Sequence, residues 1–468
     1  MKKLRKSFSA LFAAALTITL AFVFTACGKA TDANSSGEDI YSQYPDAHII
    51  KLNGDSASMD GNSIKEFDYS WSISPDDPDE RYSGTAPDEN LGVYIAHDII
   101  YYPEIPESEF VKADYDGEEE WVTKYTAAGM EDYIFATLPV LGTELPKEMM
   151  HTPEEAYQNP VLHITEPGEY VIEGNFSGQL LFDLGEKDDT FSDEEAKIVV
   201  ILNGVNVECS VAPAVIFRDI YECDNGWEER DSHTGVTDLS SAGVKIVIAD
   251  GTENDFSGGN VFRLLKPEYK SGSTSVQKKR WKMDGAFYSF QSIEINGGIN
   301  GTGILNITST TYEGLDSELH MTINGGYVNI FSQDDGINVN EDNVSVFTMN
   351  GGHLTIFASL GAEGDVIDSN GFIRVNGGTI AGTSKSPSDE LLDSENGTEI
   401  SEEAVIIYGG SMSQNNGIGM PGDMPNRDPG MNMWDRPGST PAEMPEPPEG
   451  FPFGDENGPP DRFEMQVN

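Results

Sequence analysis

Between residues 293 and 378, apolar and polar positions alternate in short bursts that end four times in Asn-Gly-Gly: SIEINGG, MTINGG, FTMNGG and IRVNGG. The asparagines are Asn296, Asn324, Asn350 and Asn376, so the steps are 28, 26 and 26 residues. A period of that size marks a repeat architecture, because each unit is too small to bury its own apolar face and must share a core with its neighbours. The pairs Ile293/Ile295, Met321/Ile323, Phe347/Met349 and Ile373/Val375 have a period of two, which predicts strands with one face inward. A second strand follows each Gly-Gly, as in Val328/Ile330 and Leu354/Ile356. The glycines supply the left-handed backbone that the intervening bend needs. One coil therefore reads strand, bend, strand, loop, strand, and stacked coils make an all-β solenoid, a parallel β-helix. The four asparagines then form a structural amide ladder at the bend, not a site.

Strand signals return upstream from Val161, in LHIT, GEYVIEG, QLLFDLG, KIVVILNG, APAVIFRD and VKIVIADGTEN, so the solenoid is expected over 161–410. Residues 46–160 read as a first strand and turn (IIKLNGDSASMDGNS) followed by a non-repeat insertion, 68–150, rich in acids and in aromatics such as Trp71, Tyr94, Tyr101, Tyr102, Trp121, Tyr125 and Tyr133. Thr152-Pro153-Glu154-Glu155 is a capping box with proline at the first helical position and predicts a short helix. Residues 28–45 read as a polar tether. The Met, Pro, Gly and acid-rich tail, 411–468, has too little apolar area to offset ordering entropy and is expected to be disordered.

Lys2, Lys3, Arg5 and Lys6 precede an apolar run, Leu11 to Phe24, that ends Phe24-Thr25-Ala26-Cys27. The run is too short and wrongly flanked for a membrane span, so 1–27 reads as a signal peptide. A cysteine at the cleavage point resembles a bacterial lipobox, with Phe24 where an aliphatic residue is usual, and implies lipid on Cys27 at the cell surface; simple secretion is the alternative. Cys209 and Cys223 then remain in an oxidising compartment. A disulfide between them would close a loop worth about 3 kcal/mol in the entropy model; two independent thiols are the alternative, and no zinc signature accompanies them.

Asp+Glu 80 against Lys+Arg 28 gives a formal net charge of −52, which excludes nucleic acid and anionic membrane surfaces as partners. Much of the acid recurs with the repeat, in DGAFYS at 284–289, EGLDSE at 313–318, DGINVN at 335–340, DVIDSN at 365–370 and ELLDSE at 390–395. Aligned on their acids, these loops give a first column of Asp284, Glu313, Asp335, Asp365 and Glu390. A second column, three residues on, reads Phe287, Asp316, Asn338, Asp368 and Asp393. Asp334 and Glu363 add carboxylates just before the frames. Parallel stacking would set equivalent acids about 4.8 Å apart, where two carboxylates repel by about 3.5 kcal/mol at an effective dielectric of 20. A hard cation with six to eight oxygen ligands, Ca2+ outside a cell, suits carboxylates and an amide oxygen best, and no Cys or His recurs here for a softer metal. The alternative is a solvated rim screened by salt. The spacing is not an EF-hand, and DYDGEEEW at 114–121 is not one either, since Lys112 stands where the first ligand should be.

The run GEYVIEG, ILNGVNV, APAVIF, VIADGTEN, DGAFYS, INGG, TYEGLDS, DDGINV, DSNGFIRVNGG resembles a family of secreted bacterial carbohydrate-binding domains first described in a cellulolytic clostridium. The resemblance spans about 161–410, with 48–66 as a further part. It implies a right-handed parallel β-helix of the pectate-lyase type, calcium held by the acid columns, and adhesion to plant-wall polysaccharides such as cellulose and polygalacturonate without known cleavage. Phe287 breaks the second column, and the insertion and tail fall outside the pattern.

The reading that follows is a surface-anchored, non-catalytic polysaccharide binder, expected to be monomeric and to meet the membrane only through its lipid. Tyr288, Tyr312, Tyr327 and the insertion aromatics are candidates to stack on sugar rings, against the ordinary alternative of core or loop packing. A polysaccharide lyase on the same fold is the second reading. It needs a basic residue beside calcium to take a proton next to a uronate, and the candidates are Lys278, Lys279, Arg280 and Lys282 before Asp284, with Arg374 and Lys385 further on. A cell-surface adhesion scaffold using the tail is the third. No Ser/His/Asp set, phosphate loop or dinucleotide fingerprint stands out.

Overall fold

The computed structural model describes residues 39–408, apart from 75–76, 89–90, 103, 105–109, 116–117, 128–129, 136–149, 186–189, 224–234, 262–282, 360–363 and 386–388. The leader with Cys27, Glu363, the lysine cluster at 278–282 and the tail therefore lie outside the described residues. The described residues from Tyr44 onward belong to one compact unit; of the other unit, the described part is Asp39 and the one-turn helix Ile40–Gln43.

The larger unit is nearly all β, with large parallel sheets in a solenoid-like arrangement. Each repeat contributes two strands to one large sheet, on either side of the Asn-Gly-Gly bend, and one strand to a second sheet. In the first sheet Ile293–Gly297 pairs in parallel with Met321–Ile323, then with Val346–Met349, Phe372–Val375 and Thr398–Ile400. The period-two alternation now explains the core. Val200, Ile246, Ile295, Ile323, Met349 and Val375 stand in register across successive coils, each at most 2 % exposed. Every such side chain is covered by the coil on either side, which is why one repeat could not hold it alone.

At the bend the amide ladder forms as expected: Asn324 Nδ2 donates to Asn296 Oδ1 at 2.9 Å, Asn350 to Asn324 at 2.8 Å and Asn376 to Asn350 at 2.8 Å. The second glycine of three of these bends has positive φ: +86° at Gly326, +85° at Gly352 and +82° at Gly378. Earlier in the chain the buried Asn254 closes a similar bend, accepting from the amides of Gly204 and Val205 and donating to Thr252 and to the carbonyl of Ile304.

The second sheet is reached from Val161–Ile164 through Gln179–Asp183, Val215–Arg218, Gly285–Ser289, Glu313–Ser317, Ile337–Val339, Ile367–Ser369 and Asp393–Ser394, all parallel. The insertion is not a mere interruption. His48–Gly54 pairs in parallel with Gly168–Ser177, and Val93–His97 extends the second sheet by pairing antiparallel with Val161–Ile164. Glu66–Ser74 and Asp77–Gly84 add the next two strands. Phe110–Tyr115, Glu118–Ala127 and Met130–Phe135 make a separate antiparallel meander. The helix Pro153–Tyr157 carries the predicted capping box.

No disulfide joins Cys209 and Cys223. Cys209 precedes the strand Val215–Arg218 and Cys223 follows it. Cys209 packs in the hydrophobic core, whereas Cys223 is only partly buried beyond the strand.

Candidate functional site

The strand register decides which acids meet. Leu315, Ile337 and Ile367 align on the inward face of the second sheet, so their neighbours Asp316, Asn338, Asp368 and Asp393 align on the outward face. That reproduces four members of the second column. The fifth differs: Tyr288, not Phe287, pairs with Asp316, and Gly285, not Asp284, pairs with Glu313. The one-residue offset turns Phe287 inward, where it packs against Phe217 and Phe256. Asp284 is buried just ahead of the strand, outside the first column.

Two members of the first column, Asp335 and Asp365, serve the backbone. Asp335 Oδ1 accepts the N–H of Asp365 at 2.6 Å, and Asp365 Oδ1 accepts the N–H of Glu390. Glu313 is buried at the start of its strand, and Asp334 offers its carbonyl to Ser332 and Ser359. The two columns meet at one end of the ladder. Asp365, Asp368 and Asp393 each place a carboxylate oxygen within 4.8 Å of the others, and they are the one such carboxylate group among the described residues.

Electrostatics at this corner are unfavourable for bare anions. Loss of water, then the nearby Asp393, Asp368 and Asp389, push Asp365 up to about 7 despite the Glu390 amide. Burial and then Asp393 push Asp368 up to about 6. Asp335 is raised well above the carboxylate range by burial and by Glu313, Asp334 and Asp368. Between Asp316 and Asp368, the buried Asn338 keeps its Oδ1 without a hydrogen-bond partner, an orphaned acceptor of the kind that normally has an explanation. The three carboxylates are an all-oxygen donor set, with Asn338 in register beside Asp368, and such a set fits a hard cation and offers nothing to a soft one.

The tyrosines divide. Tyr288 is fully buried and its phenol donates to Glu318, so it presents no face to a sugar. Burial, Glu318 and Asp316 hold that phenol far above its ordinary range. Tyr312 packs partly buried against the core. Tyr327 is 40 % exposed and stacks on His353 with centroids 4.6 Å apart, but it lies in the first sheet, away from the acids. Arg374 also belongs to the first sheet, where its Nε donates to the carbonyl of Gly235 at 2.8 Å and approaches Glu399, so it does not serve the acid corner as a base. The alignment of loops missed Tyr288 and Gly285 as the register partners, since DGAFYS and EGLDSE look equivalent as text.

Residues 230–432 match the model of a family described as carbohydrate-binding domain-containing protein. No curated protein matches the chain. Among solved structures, a polysaccharide lyase-like protein from C. thermocellum, in its gadolinium derivative, is similar at 19% sequence identity, with 55% of this chain and 88% of that chain covered and a TM-score of 0.33.

Proposed function

We propose, from the match of residues 230–432 to a carbohydrate-binding domain-containing family, that the chain is a non-catalytic polysaccharide-binding protein. It is loaded with calcium at the acid corner and directed to plant-wall type glycans such as cellulose or pectin. The observation that carries the calcium part is the convergence of Asp365, Asp368 and Asp393; Asn338, in register with Asp368, has a buried amide oxygen without a hydrogen bond. These residues would hold the ion, and when bound it supplies positive charge that the corner lacks. An anionic glycan would meet so acidic a chain through that charge.

In this reading the coils are a right-handed parallel β-helix, a rigid support that keeps the ligand set pre-organised on strands. The lipobox-like Phe24-Thr25-Ala26-Cys27 would tether it to the outer face of the cell membrane. Among the described residues no helix is long and apolar enough to cross a membrane.

Pull-down of the full chain on insoluble pectate and cellulose, with calcium and with excess chelator, tests the reading. Pectate binding that needs calcium is expected. Retention of pectate unchanged in chelator would remove the ion from the account, and capture by neither polymer would remove the glycan. Release of unsaturated uronate, followed by absorbance, would replace binding with lyase chemistry.

A further inference from the structure

On the first sheet, outside the core, lies a cavity of about 520 Å³. Its floor follows from strand alternation. The strands Ile198–Glu208 and Val244–Ile248 turn Val200 and Ile246 into the core, so Val199, Lys245 and Val247 face outward. Both valines stay partly exposed, although polar residues usually fill such positions on a solvated sheet face. Here they line the cavity.

Two walls rise over that floor. One is the short turn Leu239–Ser241, whose start is capped by Asp238 Oδ1, accepting from the Ser240 N–H at 2.9 Å. Lys245 braces it: its Nζ donates to the Ser240 carbonyl and pairs with Glu294 at 3.1 Å. The other wall is Tyr44. A turn in which the Ala47 N–H donates to the Tyr44 carbonyl at 3.3 Å leads into the strand His48–Gly54, whose first residue stands opposite Tyr170. Tyr44 thereby comes to line the same cavity as Glu169, the residue before Tyr170. Lys197, also in the lining, holds its ammonium 4.7 Å from the Tyr221 ring centroid by cation–π attraction. Both lysines are thus fixed before a ligand arrives, which lowers the ordering cost of binding.

Small-molecule sites enclose about 300–1,000 Å³, and this cavity falls in that range. An apolar floor, a phenol at one side and a rim of ammonium, carboxylate and serine groups complement a pyranose, whose C–H face is apolar and whose rim is hydroxyl. Charge narrows the class. Lys197 and Lys245 are balanced by Glu169 and Glu294, so nothing here selects an ion, and a chain of net charge −52 repels a uronate.

We infer that this cavity is a second saccharide site, which takes a neutral pyranose unit without any metal, Tyr44 lying against the sugar and Glu169, Lys197 and Ser241 bonding its hydroxyls. It stands on the outer face of the first sheet, whereas the converging acids belong to the second sheet and its loops, so removal of calcium leaves it in place. Tyr44, Glu169, Lys197 and Val199 all precede the family match at 230–432, which therefore does not assign the site. The inference rests on the reading that the chain binds polysaccharide.

The test is titration of the full chain with soluble neutral β-glucan oligosaccharides in excess chelator, with galacturonate oligosaccharides in parallel. Tyr44→Ala removes the ring, and Ser241→Trp fills the cavity from its exposed rim; each is expected to weaken neutral-glycan binding about tenfold or more. Neither residue belongs to the core cluster, so each variant should keep the parent's melting midpoint. Val405→Ala, at a half-exposed position on the distant strand Val405–Tyr408, should leave binding unchanged. Neutral-glycan affinity equal to the parent's in both cavity variants would overturn the site while leaving the polysaccharide reading intact, as would tighter binding of galacturonate than of neutral oligosaccharide in chelator. A parent chain that binds neither neutral nor acidic glycan, with calcium or without, would overturn both.

Discussion

The Asp335 carboxylate accepts the backbone N–H of Asp365 at 2.6 Å, so an acid that reads as a metal ligand in the repeat also ties one coil to the next. Asp365 repeats the arrangement with Glu390. Part of the acid column is therefore mortar for the stack, and the ion-binding part is confined to the corner where Asp393 joins.

This double role separates two substitutions. Asp335→Ala leaves the Asp365 amide without its acceptor and is expected to cost about 1–3 kcal/mol. Asp335→Asn keeps an acceptor oxygen and removes a charge that Glu313, Asp334 and Asp368 oppose. In chelator the Asn variant should melt at or above the parent and the Ala variant below it. The reverse order in thermal unfolding would mean that repulsion in the column is not significant.

Acidity should govern the ion-free protein. Asp365, up to about 7, and Asp368, up to about 6, lie above the ordinary carboxylate value near 4. An acid raised by folding costs nothing below its unfolded pKa, and its penalty grows until pH passes the folded value. In chelator, stability should therefore fall as pH rises from about 4 to 7, and calcium should flatten that slope. Melting curves with identical pH slopes in calcium and in chelator would contradict both the repulsion and its relief.

Asp368→Asn and Asp393→Asn address the ion directly. Each removes one of the three converging carboxylates without touching a buried apolar contact, so calcium affinity by titration calorimetry should fall about 10- to 100-fold, a range that even outer-shell losses reach. Melting in chelator should stay at or above that of the parent. Unchanged affinity in both variants would place the ion elsewhere.

The thiols provide an independent check on the topology. Under denaturing but non-reducing conditions both Cys209 and Cys223 should alkylate, as separate thiols do. In the native protein Cys209 should resist, since it is 1% exposed and burial pushes its thiol up to about 11. A mass showing the pair oxidised would contradict the absence of a disulfide between Cys209 and Cys223.

Local signals were readable in the chain and long-range ones were not. The Asn-Gly-Gly bend announces itself because each asparagine needs only its counterpart one coil away, and the core column follows from alternation alone. Asp316, Asn338, Asp368 and Asp393 aligned correctly because each stands three residues after an acid, Glu313, Asp335, Asp365 or Glu390, and the pairing keeps that local frame although the coils between them differ in length. Tyr288 did not, because the offset between Gly285–Ser289 and Glu313–Ser317 is a property of the pairing, and a slip of one residue exchanges inside for outside. The disulfide failed for a related reason: fourteen residues of separation say nothing about a strand lying between the two thiols. The insertion's attachment to the second sheet depends on Val93–His97 finding Val161–Ile164, a pairing that neither segment advertises.

The bend itself can be tested by comparing two glycines. Gly352 has φ +85°, and a Cβ there would come within 2.7 Å of the Gly326 carbonyl oxygen in the neighbouring coil; Gly204, at φ +79°, has nothing within 4 Å of the same added atom. Both alanine variants bear the left-handed backbone cost of about 1–2 kcal/mol, but only Gly352→Ala also forces two stacked bends apart. The displaced bend carries Asn350, whose two amide bonds to Asn324 and Asn376 then stretch together. Gly352→Ala should therefore lower the midpoint of thermal unfolding well beyond Gly204→Ala. Because coil stability depends on nearest neighbours, the loss should broaden the transition as the coils on either side unfold less in concert. Equal midpoints for the two variants would show that the bends are not in the close contact on which the register of the acids above depends.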